Sequence, residues 1–276
     1  MSALKAASRS GAPFADELAF AEALSIRAGE LLMDRYERVE RVDYKSARDV
    51  VTEVDHLSEE LIIEAIRARF PDDGILAEES GEHVAVAGSA PTSGRGRTWI
   101  VDPLDGTINY ANGIPYFCVS IGLAVDGTPA VGVIHDPSRH ETFGATVSGS
   151  ATLEGRQIAA SDKDKLSDYV VHLALGGRRI ATRIRQTRKQ IRVSRNMGAA
   201  ALAIAYVAAG RFDAFVQEGG LSTWDIAAAG LIAERAGAQV TAMDGGRWFD
   251  LGHGTRSIGL IAAPPAHHGT LLELVR

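Results

Sequence analysis

The sequence predicts an α+β fold of layered helices and sheets rather than a parallel α/β barrel. Three observations carry this. Stretches with helical spacing alternate with short β-branched runs along the chain. Asp126-Gly127 joins two strand-like runs, Tyr116 to Val125 and Pro129 to Ile134, as an antiparallel hairpin. The pattern then restarts beyond Ser161, giving an N-terminal α+β half (1–160) and a C-terminal α/β half (161–276) of one compact unit.

Among 276 residues, 46% are hydrophobic and 23% charged, which is the composition of a soluble globular protein with a sizeable core. The 29 glycines against 9 prolines point to tight turns rather than disorder. A formal charge of -6 argues against nucleic acid as the main partner. The single cysteine, Cys118, sits mid-strand and has no zinc-type spacing around it, which fits a reducing cytoplasm. Met1 to Pro13 lacks the apolar core of a signal peptide, and the longest apolar stretch, Ala199 to Ala209, is too short to span a bilayer. No membrane association is expected.

Phe14 to Tyr36 carries apolar residues at Leu18, Ala21, Leu24, Ala28 and Leu32, with acids early and arginines late, as in an amphipathic helix. His56 to Phe70 is a second helix with Asp55 at its N-cap position. Ile75-Leu76-Ala77 is a short buried strand ending at Glu78-Glu79, and Gly88 to Gly96 is a loop. Trp99-Ile100-Val101 is the central strand, left by the turn Asp102-Pro-Leu-Asp-Gly-Thr107. Phe143 to Val147 adds a strand to the hairpin. In the second half, strands are expected at Tyr169 to Leu173, Phe212 to Gln217, Gln239 to Ala242 and Ser257 to Ala262. Helices are expected at Gly198 to Ala209, Thr223 to Ala236 and Ala266 to Val275. Arg178 to Arg195, a helix and strand, holds eight basic residues without interleaved aromatics, the pattern of a solvated face.

The central turn carries the chemistry. Pro103 biases Asp102 to extended backbone, so Asp102 and Asp105 are held on one side. Gly106 lets the chain pass close to a ligand, and Thr107 starts a helix. Alone, such a stretch is also an Asx-type turn with a helix cap. Acids, however, stand at the edges of other elements too: Asp55, Glu78 and Asp225. If these meet, cations must neutralise them, and an all-oxygen donor set selects Mg²⁺, with Mn²⁺ as substitute.

Asp55 in Thr-Glu-Val-Asp, Glu78-Glu79 in Ala-Glu-Glu-Ser-Gly, Asp102-Pro-Leu-Asp-Gly-Thr107 and Trp224-Asp225-Ile-Ala-Ala-Ala-Gly230 closely resemble the inositol monophosphatase family over nearly the whole chain. This is the Mg²⁺-dependent, lithium-sensitive phosphatase superfamily. The resemblance implies a layered α-β-α-β-α sandwich of the inositol monophosphatase/fructose-1,6-bisphosphatase type, often a homodimer, that hydrolyses a phosphate monoester. Carried over by position, Glu78, Asp102 and the Leu104 carbonyl hold a first Mg²⁺. Asp102 bridges to a second completed by Asp105 and Asp225, and a looser third ion lies near Glu78. The amides of Gly106 and Thr107 bind phosphate, while Thr107, polarised by Asp55, orients the attacking water together with Glu78. No covalent phosphoenzyme is needed. Lys45 matches a basic position near the third metal and phosphate. Glu218, seven residues before Asp225, matches an acid that accepts hydrogen bonds from substrate hydroxyls.

Two departures concern the alcohol half of the substrate. Gly198 is followed by Ala199-Ala200 where relatives often carry Ser or Thr, and Ser222-Thr223 precede Trp224 where animal enzymes commonly carry His. Gly198 and Ala200 are the substrate-side positions at the first of these. A small phosphorylated polyol, inositol 1-phosphate foremost, is the expected substrate. Fructose 1,6-bisphosphate, histidinol phosphate and a 3′-phosphonucleotide are alternatives within the same chemistry. A non-catalytic polyanion-binding or regulatory protein, acting through the basic run, is the alternative of a different class. His56, His135 and the pair His267-His268 read as incidental.

Overall fold

The computed structural model describes residues 12–37, 42–46, 49–83, 96–177, 180–252 and 256–276, with backbone alone for 42–46 and 49–51. Most of the loop expected at Gly88 to Gly96, the N-terminal stretch before residue 12, and Arg178 and Arg179 lie outside the described residues. Helix α1 (Ala15–Arg35) precedes a ribbon of β1 (Val42–Ser46) and β2 (Asp49–Thr52), then α2 (Glu53–Arg69), β3 (Gly74–Ala77), β4 (Gly81–His83) and β5 (Arg97–Asp105). Next come α3 (Thr107–Ala111), β6 (Cys118–Val125), β7 (Thr128–Asp136), β8 (Glu141–Thr146), β9 (Thr152–Leu153) and β10 (Arg156–Gln157). The remainder is β11 (Val170–Ala174), α4 (Ile180–Gln190), β12 (Val193–Arg195), α5 (Ala200–Ala208) and β13 (Ala214–Leu221). It ends with α6 (Thr223–Arg235), β14 (Gln239–Ala242), β15 (Ile258–Ala263) and α7 (Pro265–Val275).

These elements form the layered α-β-α-β-α sandwich. An eight-stranded sheet has the order β10-β9-β8-β7-β6-β5-β3-β4, antiparallel except where β3 runs parallel to β5. A five-stranded sheet has the order β12-β11-β13-β15-β14, with β11 parallel to both its neighbours. Helices α1 and α2 cover the outer face of the first sheet, α5 and α6 fill the space between the sheets, and α4 and α7 cover the second. The middle position explains the composition of α5. It is apolar on nearly every side because it is buried on nearly every side, with Ala201 through Ala205 at 0% exposure. Small residues also let α6 approach the first sheet closely: a Cβ on Gly132 of β7 would come 2.5 Å from the Ala228 carbonyl of α6.

Three expectations change in detail. Asp55 is not the N-cap of α2. Thr52, in extended backbone, caps the helix with its hydroxyl, and Asp55 at the third helical position reaches back to the Thr52 amide at 2.7 Å. The central strand does not end at Val101 but runs to Asp105, because β6 continues to pair with it beyond an irregularity. Helix α5 starts at Ala200, since Gly198 has φ 84 and Ala199 is extended. Strands β4, β9 and β10, of two or three residues each, are too short to leave a period in the sequence.

Candidate active site

Parallel pairing delivers the first carboxylates. Ala77 of β3 lies opposite Val101 of β5, and the Glu78 amide donates to the Val101 carbonyl at 3.1 Å, so Glu78 and Asp102 leave adjacent strands side by side. The nearness of the Glu78 carboxyl group helps to raise the pKa of Asp102. Beyond Asp102 the pairing with β6 gains one residue, Asp102 facing Ser120 and Asp105 facing Cys118, which is a bulge that turns both aspartates to one side. The Leu104 amide donates to Asp102 Oδ1 at 3.1 Å, and Ser58 of α2 donates to the Pro103 carbonyl at 3.1 Å. Gly106 then takes φ 98, where a Cβ would also meet Ala199 and the Tyr116 carbonyl at 3.1 Å, so both backbone and space require glycine.

Two helix N-termini bring the other acids by one device. Asp225 holds the third position of α6 as Asp55 does in α2, accepting from the Ser222 amide at 2.6 Å. Carboxylate atoms of Asp102, Asp105 and Asp225 lie within 4.8 Å of one another. Asp55 comes from α2: its Oδ1 accepts from the Thr107 hydroxyl at 2.9 Å, while its Oδ2 is held by the Thr52 hydroxyl at 2.6 Å. The Thr107 hydroxyl also lies 3.1 Å from the Leu104 carbonyl, which therefore faces the same space.

The two halves of the chain meet at Asp105. Its carboxylate accepts from the amides of Ala200 (3.1 Å), Ala201 (2.7 Å) and Leu202 (3.3 Å), so a residue of β5 caps the N-terminus of α5. The sequence showed neither this contact nor the role of Glu59. That buried acid on α2 accepts from the Glu79 and Ser80 amides at 2.8 and 2.9 Å and fixes the turn that presents Glu78.

The electrostatics follow from crowding acids out of water. Asp102 is pushed well above the usual carboxylate range, first by burial and then by the charges of Glu78, Asp105 and Asp225. Asp225 is raised likewise by burial and by Asp105. Asp105 rises only to about 6, because the α5 amides stabilise its charged form against the cost of burial. Protons must hold this cluster together unless cations do. An all-oxygen donor set that repels itself fits a hard divalent ion such as Mg²⁺.

The cleft is a cavity of about 750 Å³. Glu78, Asp102, Asp105, Gly106, Thr107 and Asp225 line one end, and Gly198 and Ala200 line it at the α5 side. Lys45 lies on β1, and its side chain is outside the described residues. Glu218 belongs to β13 but does not line the cavity. Its carboxylate is paired with Arg183 of α4 at 2.9 Å and accepts from the Gly176 amide at 2.8 Å. Ala200 has given its amide to Asp105. His172, Gln217 and Arg256 line the cavity and were not marked by the sequence.

A five-layer sandwich with a carboxylate cluster able to bind divalent metal at its seam is the frame of a phosphatase. The profile of the inositol monophosphatase family matches residues 15–276, and the chain belongs to that family. Its relatives include Nus factor SuhB of Pasteurella multocida, 38% identical over 250 residues covering 87% of this chain and 88% of that one. The fructose-1,6-bisphosphatase/inositol-1-monophosphatase of Thermotoga maritima is 36% identical, covering 83% and 86% of the two chains. Among solved structures, the extragenic suppressor protein suhB of Bartonella henselae superposes with a TM-score of 0.86 at 31% identity, over 95% of this chain and 99% of that one. The family is Mg²⁺-dependent and lithium-sensitive. Among the described residues, no helix is long and apolar enough to cross a membrane.

Proposed function

We propose that this protein hydrolyses the phosphate monoester of a small polyol, inositol 1-phosphate foremost, by attack of water and without a phosphoenzyme. The observation that carries the reading is the meeting of Asp102, Asp105 and Asp225 within 4.8 Å beside the Thr107–Asp55 hydrogen bond. Glu78, Asp102, Asp105, Asp225 and the Leu104 carbonyl hold two or three divalent ions. Mg²⁺, when bound, neutralises charge on the phosphate and makes water a better nucleophile. The amides of Gly106 and Thr107 receive the phosphate, and the resemblance adds Lys45 as a basic residue for it. Thr107 has its hydroxyl proton committed towards Asp55, so its lone pairs face an incoming water, which Glu78 orients from the other side. Cys118 is no nucleophile, since its thiol is buried 3.7 Å from Asp105 and burial raises its pKa. Gly198 and Ala200 border the alcohol. Glu218 keeps β13 in place through Arg183.

The test is Mg²⁺-dependent phosphate release from inositol 1-phosphate beside fructose 1,6-bisphosphate, histidinol phosphate and 3′-phosphoadenosine 5′-phosphate. A preference for the inositol ester is expected, and release from none of them overturns the reading. A homodimer in the cytoplasm follows from the resemblance and the lone reduced cysteine, and light scattering of the purified protein checks the dimer. The second reading, polyanion binding, is favoured by the relatives named Nus factor SuhB and by the exposed face of α4 that carries Arg185, Arg188 and Lys189. Charge reversal on that face leaves phosphate release intact if catalysis is the function.

A further inference from the structure

The part of the cavity wall supplied by the five-stranded sheet contains a further polar group. Alternate residues of β11 face opposite ways: Val171 and Leu173 join the core under α7, whereas His172 and Ala174 line the cavity. His172 is stacked on Phe215 of β13, with ring centroids 4.7 Å apart and planes 19° from parallel. It is 1% exposed, and its Nδ1 has no hydrogen-bond partner among the described residues. A buried polar atom left unpaired is costly and calls for a specific partner. Burial also lowers the pKa of the ring to about 4, so the imidazole is neutral near pH 7 and offers one acceptor and one donor.

The position of this ring matters because the expected hydroxyl reader is engaged elsewhere. Glu218 is tied to Arg183 and Gly176, off the cavity wall. Its neighbour Gln217 does line the cavity, opposite Ala174 in the parallel pairing of β11 with β13. Glu78, Asp102, Asp105 and Asp225 make part of the cavity wall acidic, whereas His172 and Gln217 contribute neutral polar groups from the second sheet. We propose that His172 is a specificity-determining residue, its imidazole hydrogen-bonding a hydroxyl of the alcohol half of the ester beside Gln217. This rests on the phosphatase reading for the ester, but not for the binding of the alcohol itself.

Two measurements test it. In the intact protein with Mg²⁺, His172→Leu raises KM for inositol 1-phosphate about tenfold and leaves p-nitrophenyl phosphate, which has no hydroxyls, within twofold. His172→Asn, which keeps a polar atom near Nδ1, restores part of the difference. Independently of turnover, ¹⁵N-histidine spectra of the wild type, assigned by the signal missing from His172→Asn, shift at the His172 nitrogens on adding myo-inositol but not on adding orthophosphate alone. An unmoved His172 signal, or equal losses on both esters, overturns the proposal and assigns the ring to packing or to a buried water. A shift with myo-inositol in a protein that releases no phosphate keeps the alcohol site and removes the phosphatase reading.

Discussion

The Thr107 hydroxyl lies 2.9 Å from Oδ1 of Asp55, across two elements 52 residues apart. Both oxygens of Asp55 are engaged, Oδ2 by the amide and hydroxyl of Thr52, so one carboxylate completes the capping box of α2 and fixes the Thr107 rotamer. Removing the hydroxyl should therefore remove an orienting group while leaving fold and metal binding alone. Thr107→Ala should lower kcat by about 100-fold or more with Mg²⁺ affinity unchanged, and Thr107→Ser should retain most activity. Asp55→Asn should lose activity too and also about 1 kcal/mol of stability, because the helix cap is weakened. Steady-state kinetics and thermal melts check both.

Asp102 is buried among like charges, and its removal relieves repulsion in the absence of metal. Asp102→Asn should melt at the same temperature as the wild type or a few degrees higher in chelator, yet gain nothing from Mg²⁺. Calorimetric titration with Mg²⁺ and melts with and without the ion test this. A wild-type Mg²⁺ isotherm from the variant contradicts the assigned ligand set.

The acidic cluster sets a pH dependence with a definite sign. Asp102 and Asp225 have folded-state pKa values raised well above 3.8, and Asp105 titrates at about 6. Between these limits the unfolded chain has already released protons that the folded chain retains, so stability without metal falls as pH rises through the folded pKa values. Metal replaces those protons. The increment in Tm produced by saturating Mg²⁺ should grow from pH 5 to pH 8.

The buried histidines act in the opposite direction. His135 and His172 have pKa values lowered from 6.5 to about 4 by burial. The unfolded chain takes up protons below pH 6.5 that the folded chain refuses until about pH 4. Their stabilisation is therefore complete above 6.5 and is lost as pH falls towards 4, by up to about 3 kcal/mol each. His135→Gln should flatten the acid limb of a Tm against pH curve.

Glu218 tests where the alcohol is recognised. Glu218→Gln should lower Tm by weakening the contacts to Arg183 and Gly176, and should leave KM for inositol 1-phosphate within about twofold. A large KM effect at unchanged Tm would return the hydroxyl-reading role to Glu218.

Much of the site was legible in the sequence because its acids stand at element ends. Asp102-Pro-Leu-Asp-Gly-Thr107 announces a turn, and Asp55 and Asp225 announce helix starts, although Asp55, like Asp225, holds the third helical position rather than the cap expected for it. Contacts made at long range were not legible. Asp105 meets the α5 amides 95 to 97 residues away, and Glu59 reaches the turn 20 residues on; neither leaves a local signature. His172 was not marked by the sequence, because its place depends on which face of β11 meets the cavity, and that depends on the pairing with β13. Glu218 shows the converse: a matching position whose carboxylate is engaged by a partner on α4.

The most direct test of the cation-dependent phosphatase is a Mg²⁺ titration of phosphate release from inositol 1-phosphate at pH 7.5, with the wild type and Asp102→Asn side by side. Saturable, chelator-reversible release by the wild type, and none by the variant at any Mg²⁺ concentration, is expected. Release that persists in chelator, or that the variant matches, contradicts the catalytic role given to the carboxylate cluster.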